Sequence, residues 1–559
     1  MKIAMISDFF APRLGGVENH ILNLSKELSK LGHTIIIITN SSSGGNNICY
    51  VDGFKTYYLN LFSLFSGSIF PTIICSTIPI VQILLHEQID LVHGHQCSTL
   101  PIEGILHSRI LGIPTCFTNH SLVTVESLGG IVTQPMFQLC IKSSDGIICV
   151  SGATKYNTAD RLSIHPDRIT VIPNAVTEEF KPKIITNPSI TQTNPDITRI
   201  LNIRQSNGWI NNEIIISVVS RLTTRKGSIL LSDILPSIFK INPLIRLIIA
   251  GDGDKKELLE QTVDKYKLKD KVKFLGGIHP SSINLVLNQS NLFLNTSLTD
   301  AFCISIIEAA ACGLYVVSTN VDGISEVLPK DMITLVNPSK EGILNGIIHA
   351  LPIINQYNKD ISHKRVHLMY KWSIIANNTN KVYNSIINMK KSKDISKDKD
   401  RSKDNSSICK DRMDRDNSSI RDNSSNNSKD NNNGKDIRNG NTDYNNNSIC
   451  KDKDISNNSS ISNNSSNSIS KDNSIRDNSD NSIRDNSDNS IRNIRDNSSL
   501  ITRYNPNIIS ISKVFMDSDT SIIFKVLLFI NYIIITVIIK VYENRRRQKE
   551  IYNRRVYIN

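Results

Sequence analysis

Residues 291–318 read NLFLNTSLTDAFCISIIEAAACGLYVVS. The apolar run Asn291–Asn295 has the length of a buried strand, the polar stretch after it turns the chain, and a helix begins near Phe302. A second short apolar run, Tyr315–Ser318, follows. Ala309, Ala310, Ala311 and Gly313 are small enough to let that helix pack closely on a sheet. A strand, a helix and a second strand in succession are the repeating unit of a parallel sheet wrapped by helices.

The same unit recurs in both directions. Downstream of residue 206, Ile214–Val219, Leu244–Ala250 and Lys271–Phe274 are further short apolar strands separated by amphipathic stretches. Upstream, Ile3–Ile6, Thr34–Thr39, Leu91–His93, Thr115–Thr118 and Gly146–Val150 repeat it. Residues 187–212, NPSITQTNPDITRILNIRQSNGWINN, are polar and turn-rich and divide the two series. The expectation is α/β: two doubly wound, Rossmann-like domains, residues 1–205 and 206–388, facing a cleft. Ligands of such folds bind at the carboxyl ends of the strands.

Chemistry-bearing residues fall at those strand ends. Asp300 lies in the loop before the Phe302 helix and Glu308 about two turns along it. Such a pair suits sugar and ribose hydroxyls, although one surface glutamate on an amphipathic helix gives the same pattern. Arg221 leaves the end of the Ile214–Val219 strand and Lys226 follows. Two cations there suit a diphosphate, or are simply two solvated charges. Gly15 and Gly16 open a helix that runs to about Leu31, where backbone N–H groups can approach a phosphate; a plain turn reads the same way. The spacing is not GxGxxG, which disfavours a dinucleotide. Gly251 and Gly253 flank Asp252 in a tight turn after another strand. His120 ends the Thr115–Thr118 strand.

The chain has 559 residues, with 64 Lys+Arg against 52 Asp+Glu and a formal charge of +12. Residues 1–388 carry 33 basic and 29 acidic groups, residues 389–500 carry 21 and 19, and residues 501–559 carry 10 and 4. Half the excess therefore sits in the last segment, and no aromatic-interleaved basic stripe marks the first 388 residues, so nucleic acid is not the expected partner. The ten cysteines form no CxxC pair and no Cys/His group with zinc spacing. Together with an N-terminus, MKIAMISDFF, too short in apolar residues for a signal peptide, they predict a reduced, cytosolic globular part.

Residues 389–512 are rich in Asn, Ser and Asp and include the eight-residue repeat DNSIRDNSDNSIRDNS, a composition that cannot bury enough apolar surface to fold and that predicts a disordered linker. Residues 521–541, SIIFKVLLFINYIIITVIIKV, are long and apolar enough for a single membrane span, and the basic tail 542–559 follows. The positive-inside rule would keep Arg545–Arg547 in the cytosol, whereas a cytosolic first domain with one span puts them opposite. Residues 69–85, IFPTIICSTIPIVQILL, read as a buried helix or as an interfacial patch that approaches a lipid headgroup.

Taken in order, DFFAPRLGGVENHI, FTNHS, IICVS, VIPNAV, VVSRLTTRKG, AGDGDKKELL, LNTSLTDAFCISIIEAAACGL and VVSTNVDGISEVLP resemble the retaining GT-B glycosyltransferases. More closely, the run LNTSLTDAFC followed by EAAACG resembles the PIG-A type of GPI N-acetylglucosaminyltransferase, over residues 1 to about 385. The resemblance implies transfer of N-acetylglucosamine from UDP-GlcNAc to phosphatidylinositol on the cytosolic face of the endoplasmic reticulum membrane. It also implies retention of configuration, no cofactor, no bound metal, and other membrane subunits as partners. Carried over by position, Arg221 and Lys226 would hold the diphosphate, Glu308 the ribose and Asp300 the sugar hydroxyls. Gly15 and Gly16 would lie against the donor phosphate with Glu18 nearby, and His120 would line the donor sugar. Gly251, Gly253 and Phe302 complete the expected substrate site. The family motif has glutamate where this chain has Asp300. Two other readings share these residues: a transferase using another donor, such as a mannosyl donor, or another lipid acceptor; and a scaffold subunit with little turnover.

Overall fold

The computed structural model describes residues 1–13, 15–41, 46–61, 76–123, 137–183, 200, 203–210 and 212–392. The expected linker, membrane span and basic tail lie outside the described residues, apart from the linker's first four. Among the described residues no helix is long and apolar enough to cross a membrane.

The first sheet has eight strands: β1 Lys2–Ser7, β2 Thr34–Asn40, β3 Asn47–Val51, β4 Phe54–Leu59, β5 Leu91–His95, β6 Thr115–Asn119, β7 Gly146–Cys149 and β8 Ile169–Val171. Their order is β3-β4-β2-β1-β5-β6-β7-β8, and every pair is parallel except β3 with β4. The second sheet has six: β9 Ile214–Val219, β10 Ile245–Ala250, β11 Val272–Gly276, β12 Leu292–Asn295, β13 Tyr315–Thr319 and β14 Ile333–Val336, in the order β11-β10-β9-β12-β13-β14 and all parallel. The chain order reverses beside β1 in one sheet and beside β9 in the other. At such switch points the outgoing loops part and leave a crevice.

Parallel strands covered on both faces must be apolar throughout. Ile3, Ala4, Met5 and Ile6 are fully buried in β1, as are Ile215 and Ile216 in β9. Each such large aliphatic side chain contributes roughly 1.5–3 kcal/mol on burial. The ten strands expected from apolar runs fall within a residue or two of their observed limits. The hairpin β3–β4 and the short strands β8 and β14 are additions to that expectation. In β3, Ile48 and Tyr50 are exposed, so its pattern does not carry the apolar run of a central strand. Of residues 69–85, the described part enters the helix Thr77–Glu87, which buries Ile80, Val81, Ile83, Leu84 and Leu85. For this part the buried-helix reading holds; residues 69–75 lie outside the described residues.

A helix spanning 372–392 returns from the second domain to the first. Tyr383 on it is fully buried and its hydroxyl lies 2.6 Å from His93 Nδ1 of β5. His33 Nε2 meets Asn380 Oδ1 at 3.0 Å.

Candidate active site

The carboxyl ends of the two sheets enclose a cavity of about 740 Å³. One wall comes from loops after β1, β5, β6 and β8 and carries Gly15, Gly16, Asn19, Gln96, His120, Ser121 and Asn174. The other carries Arg221, Lys226, Gly251, Asp252, Asp300, Phe302 and Glu308. Across the cavity mouth, a side-chain carbon on Gly16 would come 3.3 Å from Ile304 Cδ1.

Lys226 and Asp300 are 74 residues apart, and the local folding of two loops brings them together. The loop after β9 turns at Gly227, whose φ of +72° is left-handed. A Cβ there would lie 1.7 Å from the Thr296 carbonyl oxygen. With that close approach, Leu298 N donates to Arg225 O at 2.9 Å and Thr296 Oγ1 donates to Lys226 O at 3.1 Å. Lys226 Nζ then reaches Asp300 Oδ2 at 2.5 Å. Burial pulls the ammonium pKa down, but the Asp300 carboxylate and the Cys303 thiol more than offset that, and the net displacement is upward. Lys226 is therefore a fixed cation.

Arg221 is an exposed guanidinium at the cavity with no hydrogen bond or ion pair to any described residue. Glu308 sits in the helix Ile304–Ala311, part-buried at the cavity wall, and its carboxylate accepts no hydrogen bond from a described residue. Burial, reinforced by the Glu179 charge, pushes its pKa up to about 7. A carboxylate in that state is under-solvated and suited to accept from hydroxyls. Phe302 is buried and packs edge-on against Tyr370, with ring centroids 5.6 Å apart.

Gly251 lines the cavity, and its backbone abuts Ser220: a Cβ there would meet the Ser220 carbonyl oxygen at 1.8 Å. Gly253 backs onto the Leu222 carbonyl oxygen and does not line the cavity. Both glycines thus serve the approach of the β10 loop to the β9 loop. Glu18 does not line the cavity either. Its carboxylate folds over Gly15, and a Cβ on Gly15 would lie 2.4 Å from Glu18 Oε2. Burial raises its pKa, against the pull of its own backbone N–H and of Arg221 and Arg13.

The sequence singles out His120 but not its neighbours. His120 Nε2 lies 3.1 Å from His95 Nδ1, and His95 Nε2 lies 3.3 Å from Met5 Sδ. A thioether cannot donate, so His95 carries its proton on Nε2 and His120 donates from its own Nε2. His20 Nδ1 pairs with Asn174 Oδ1 at 2.8 Å, and its ring packs edge-on against His120. Burial pushes all these imidazoles down, His20 to about 4 and His93 to about 3, so they are neutral at pH 7. Nitrogens of His20, His95 and His120 lie within 4.8 Å of one another, close enough to hold a metal ion. Among the described residues, their own hydrogen bonds leave one nitrogen each on His20 and His120 without a partner. The HGH run at the end of a buried strand is the sequence signal for this cluster.

Two doubly wound domains that face each other across such a cavity share the architecture of the GT-B glycosyltransferases. Residues 14–180 match the model of Glycosyltransferase Family 4, and residues 200–355 that of Glycosyl transferases group 1. Among solved structures, sucrose-phosphate synthase from Thermosynechococcus elongatus superposes with a TM-score of 0.56 at 18% identity, covering 69% of this chain and 99% of that one. Anabaena HepE in complex with UDP superposes with a TM-score of 0.53 at 19% identity, covering 69% and 100%. Curated relatives are nearer. A phosphatidylinositol N-acetylglucosaminyltransferase subunit of Arabidopsis thaliana is 39% identical over 387 residues, 68% of this chain and 81% of that protein. The Homo sapiens protein of the same description is 36% identical over 390 residues, 69% and 76%. The chain belongs to this family of phosphatidylinositol N-acetylglucosaminyltransferase subunits, the PIG-A type.

Proposed function

We propose that this chain is the catalytic subunit that transfers N-acetylglucosamine from UDP-GlcNAc to phosphatidylinositol with retention of configuration, the first step of GPI-anchor synthesis. The supporting observation is the 36–39% identity to curated subunits of that description over three quarters or more of their length. In this reading the protein works with other membrane subunits at the endoplasmic reticulum, its catalytic domains in the cytosol, and no resident metal or cofactor is assigned.

The reaction needs a cation for the departing diphosphate and hydrogen-bond acceptors for the donor's hydroxyls. Lys226 and Arg221 face the diphosphate and stabilise the charge that develops on leaving UDP. In the empty site Lys226 is held by Asp300. Donor binding exchanges that pair: a phosphate oxygen takes the ammonium and a sugar hydroxyl donates to the carboxylate. Glu308 accepts from the ribose hydroxyls, which favours its ionised form. His120, neutral and fixed with its proton on Nε2, presents Nδ1 as an acceptor to the donor sugar. Aspartate at position 300 keeps the carboxylate but is one methylene shorter than the family's glutamate.

The test is incubation of membranes carrying the complex with labelled UDP-GlcNAc and phosphatidylinositol, with GDP-mannose as a competing donor. Formation of GlcNAc-phosphatidylinositol, undiminished by GDP-mannose, supports the reading. Absence of that lipid, or preference for the mannosyl donor, overturns it.

A further inference from the structure

Beside the cavity the two domains meet at the turn Asp322–Glu326, which follows β13. One end of the turn holds the loop that carries Asp300: Asp300 N donates to Asp322 Oδ2 at 3.2 Å, and Gly323 N donates to Asp300 O at 3.1 Å. The other end reaches the first domain. There Glu326 Oε2 accepts from Gly152 N at 2.7 Å and Glu326 Oε1 accepts from Ala153 N at 2.8 Å, 174 and 173 residues away in sequence. Gly323, between the two ends, is enclosed by both domains. A Cβ on it would lie 2.0 Å from the Ala301 carbonyl oxygen and 2.8 Å from Ser151 Oγ.

Gly152 and Ala153 open the helix Gly152–Leu162 of the first domain, and the first amides of a helix have no acceptor within it. Thr154 N donates to Ser151 Oγ at 3.1 Å, and the two amides before it go to Glu326. A carboxylate at that end is also favoured by the helix dipole. Both of its oxygens are used, in a geometry that glutamine reproduces only by half. The lack of a side chain at Gly152 keeps the place open, since a Cβ there would lie 2.8 Å from Glu326 Oε2. When the domains part at this edge, both bonds break together and the turn no longer anchors Asp300 beside Lys226. The contact therefore couples the seating of the first domain to the placement of a cavity carboxylate.

We propose that Glu326 is a positioning residue for the transfer: its bridge to the helix Gly152–Leu162 holds the Asp300 loop where the carboxylate meets the donor sugar. The proposal rests on the transfer reaction proposed above. The complex is prepared with the native chain, Glu326→Ala, Glu326→Gln, Gly152→Ala and the double variant Gly152→Ala/Glu326→Ala. Each is assayed for transfer to phosphatidylinositol in membranes and for binding of UDP-GlcNAc and of UDP. UDP lacks the sugar and so reports on the nucleotide contacts without Asp300. In Glu326→Ala, both kcat/KM and affinity for UDP-GlcNAc should fall by roughly tenfold or more, and by less in Glu326→Gln, while the Kd for UDP stays within about twofold. Gly152→Ala leaves the second domain unaltered and is well suited to a helix. By displacing the carboxylate it should lower kcat/KM for UDP-GlcNAc in the same sense, and the double variant should be no worse than Glu326→Ala. Unchanged use of UDP-GlcNAc in Glu326→Ala, an equal loss of UDP affinity, or losses that multiply in the double variant would overturn the proposal. A native complex that makes no GlcNAc-phosphatidylinositol would instead overturn the reaction assignment.

Discussion

Replacing Glu308 by glutamine should make the protein more stable and less able to bind its nucleotide. The carboxylate is raised from 4.5 to about 7 by burial and by Glu179. At about 1.4 kcal/mol per pH unit this displacement sets a ceiling of about 3 kcal/mol, lowered by the water that reaches the cavity wall. Because the folded pKa lies above the unfolded one, the protonated group's contribution is fully present below pH 4.5 and is lost as pH rises through about 7. Glu308→Gln, neutral throughout, should match the native protein near pH 4.5 and exceed it by up to about 3 kcal/mol at about pH 8. Urea denaturation at half-unit steps between about pH 4.5 and 8 measures the gap. UDP should narrow it, since ribose hydroxyls donating to the carboxylate favour the ionised form. Native and variant curves running parallel across the whole range would refute the reasoning, because the charge at position 308 would then carry no burial cost.

Lys226→Met removes the fixed cation that faces the leaving diphosphate; kcat/KM for transfer should fall by roughly 10²–10³, measured by initial rates of lipid product formation. Gly251→Ala places a carbon 1.8 Å from the Ser220 carbonyl oxygen at a φ of +147°. The β10 loop must move, and urea unfolding should show a loss of about 2 kcal/mol or more. Tyr383→Phe removes the 2.6 Å bond to His93 and leaves a buried ring nitrogen unpaired. A loss of about 1–3 kcal/mol is expected, read as a lower denaturation midpoint.

The parts of the fold legible in the sequence are those where burial on both faces forces an apolar run. β1, β9 and β12 are of this kind, and their limits follow from Ile3–Ile6, Ile214–Val219 and Asn291–Asn295. β3 and β4 pair at a sheet edge, where Ile48 and Tyr50 are exposed and no such run is required. Lys226 and Asp300 are each visible as charges at strand ends, but their pairing depends on the Gly227–Thr296 approach, which sequence spacing does not encode. Gly253 resembles a ligand-facing glycine because loop-to-loop contact and ligand contact demand the same residue. Gln96 carries no motif of its own, and Asn174 lies in VIPNAV, whose sequence does not reveal the asparagine's partner. Gln96 is distinguished by its backbone angle and its unpaired amide atom, Asn174 by its bond to His20, and both are properties of the folded chain.

The most direct measurement of the central claim uses membranes from a cell that lacks its own GlcNAc-phosphatidylinositol synthesis, supplied with this chain and the companion subunits. Labelled UDP-GlcNAc and phosphatidylinositol should yield α-linked GlcNAc-phosphatidylinositol with the native chain, and a roughly hundredfold smaller amount with Lys226→Met. No labelled lipid with the native chain, or equal labelling with both, would contradict the account.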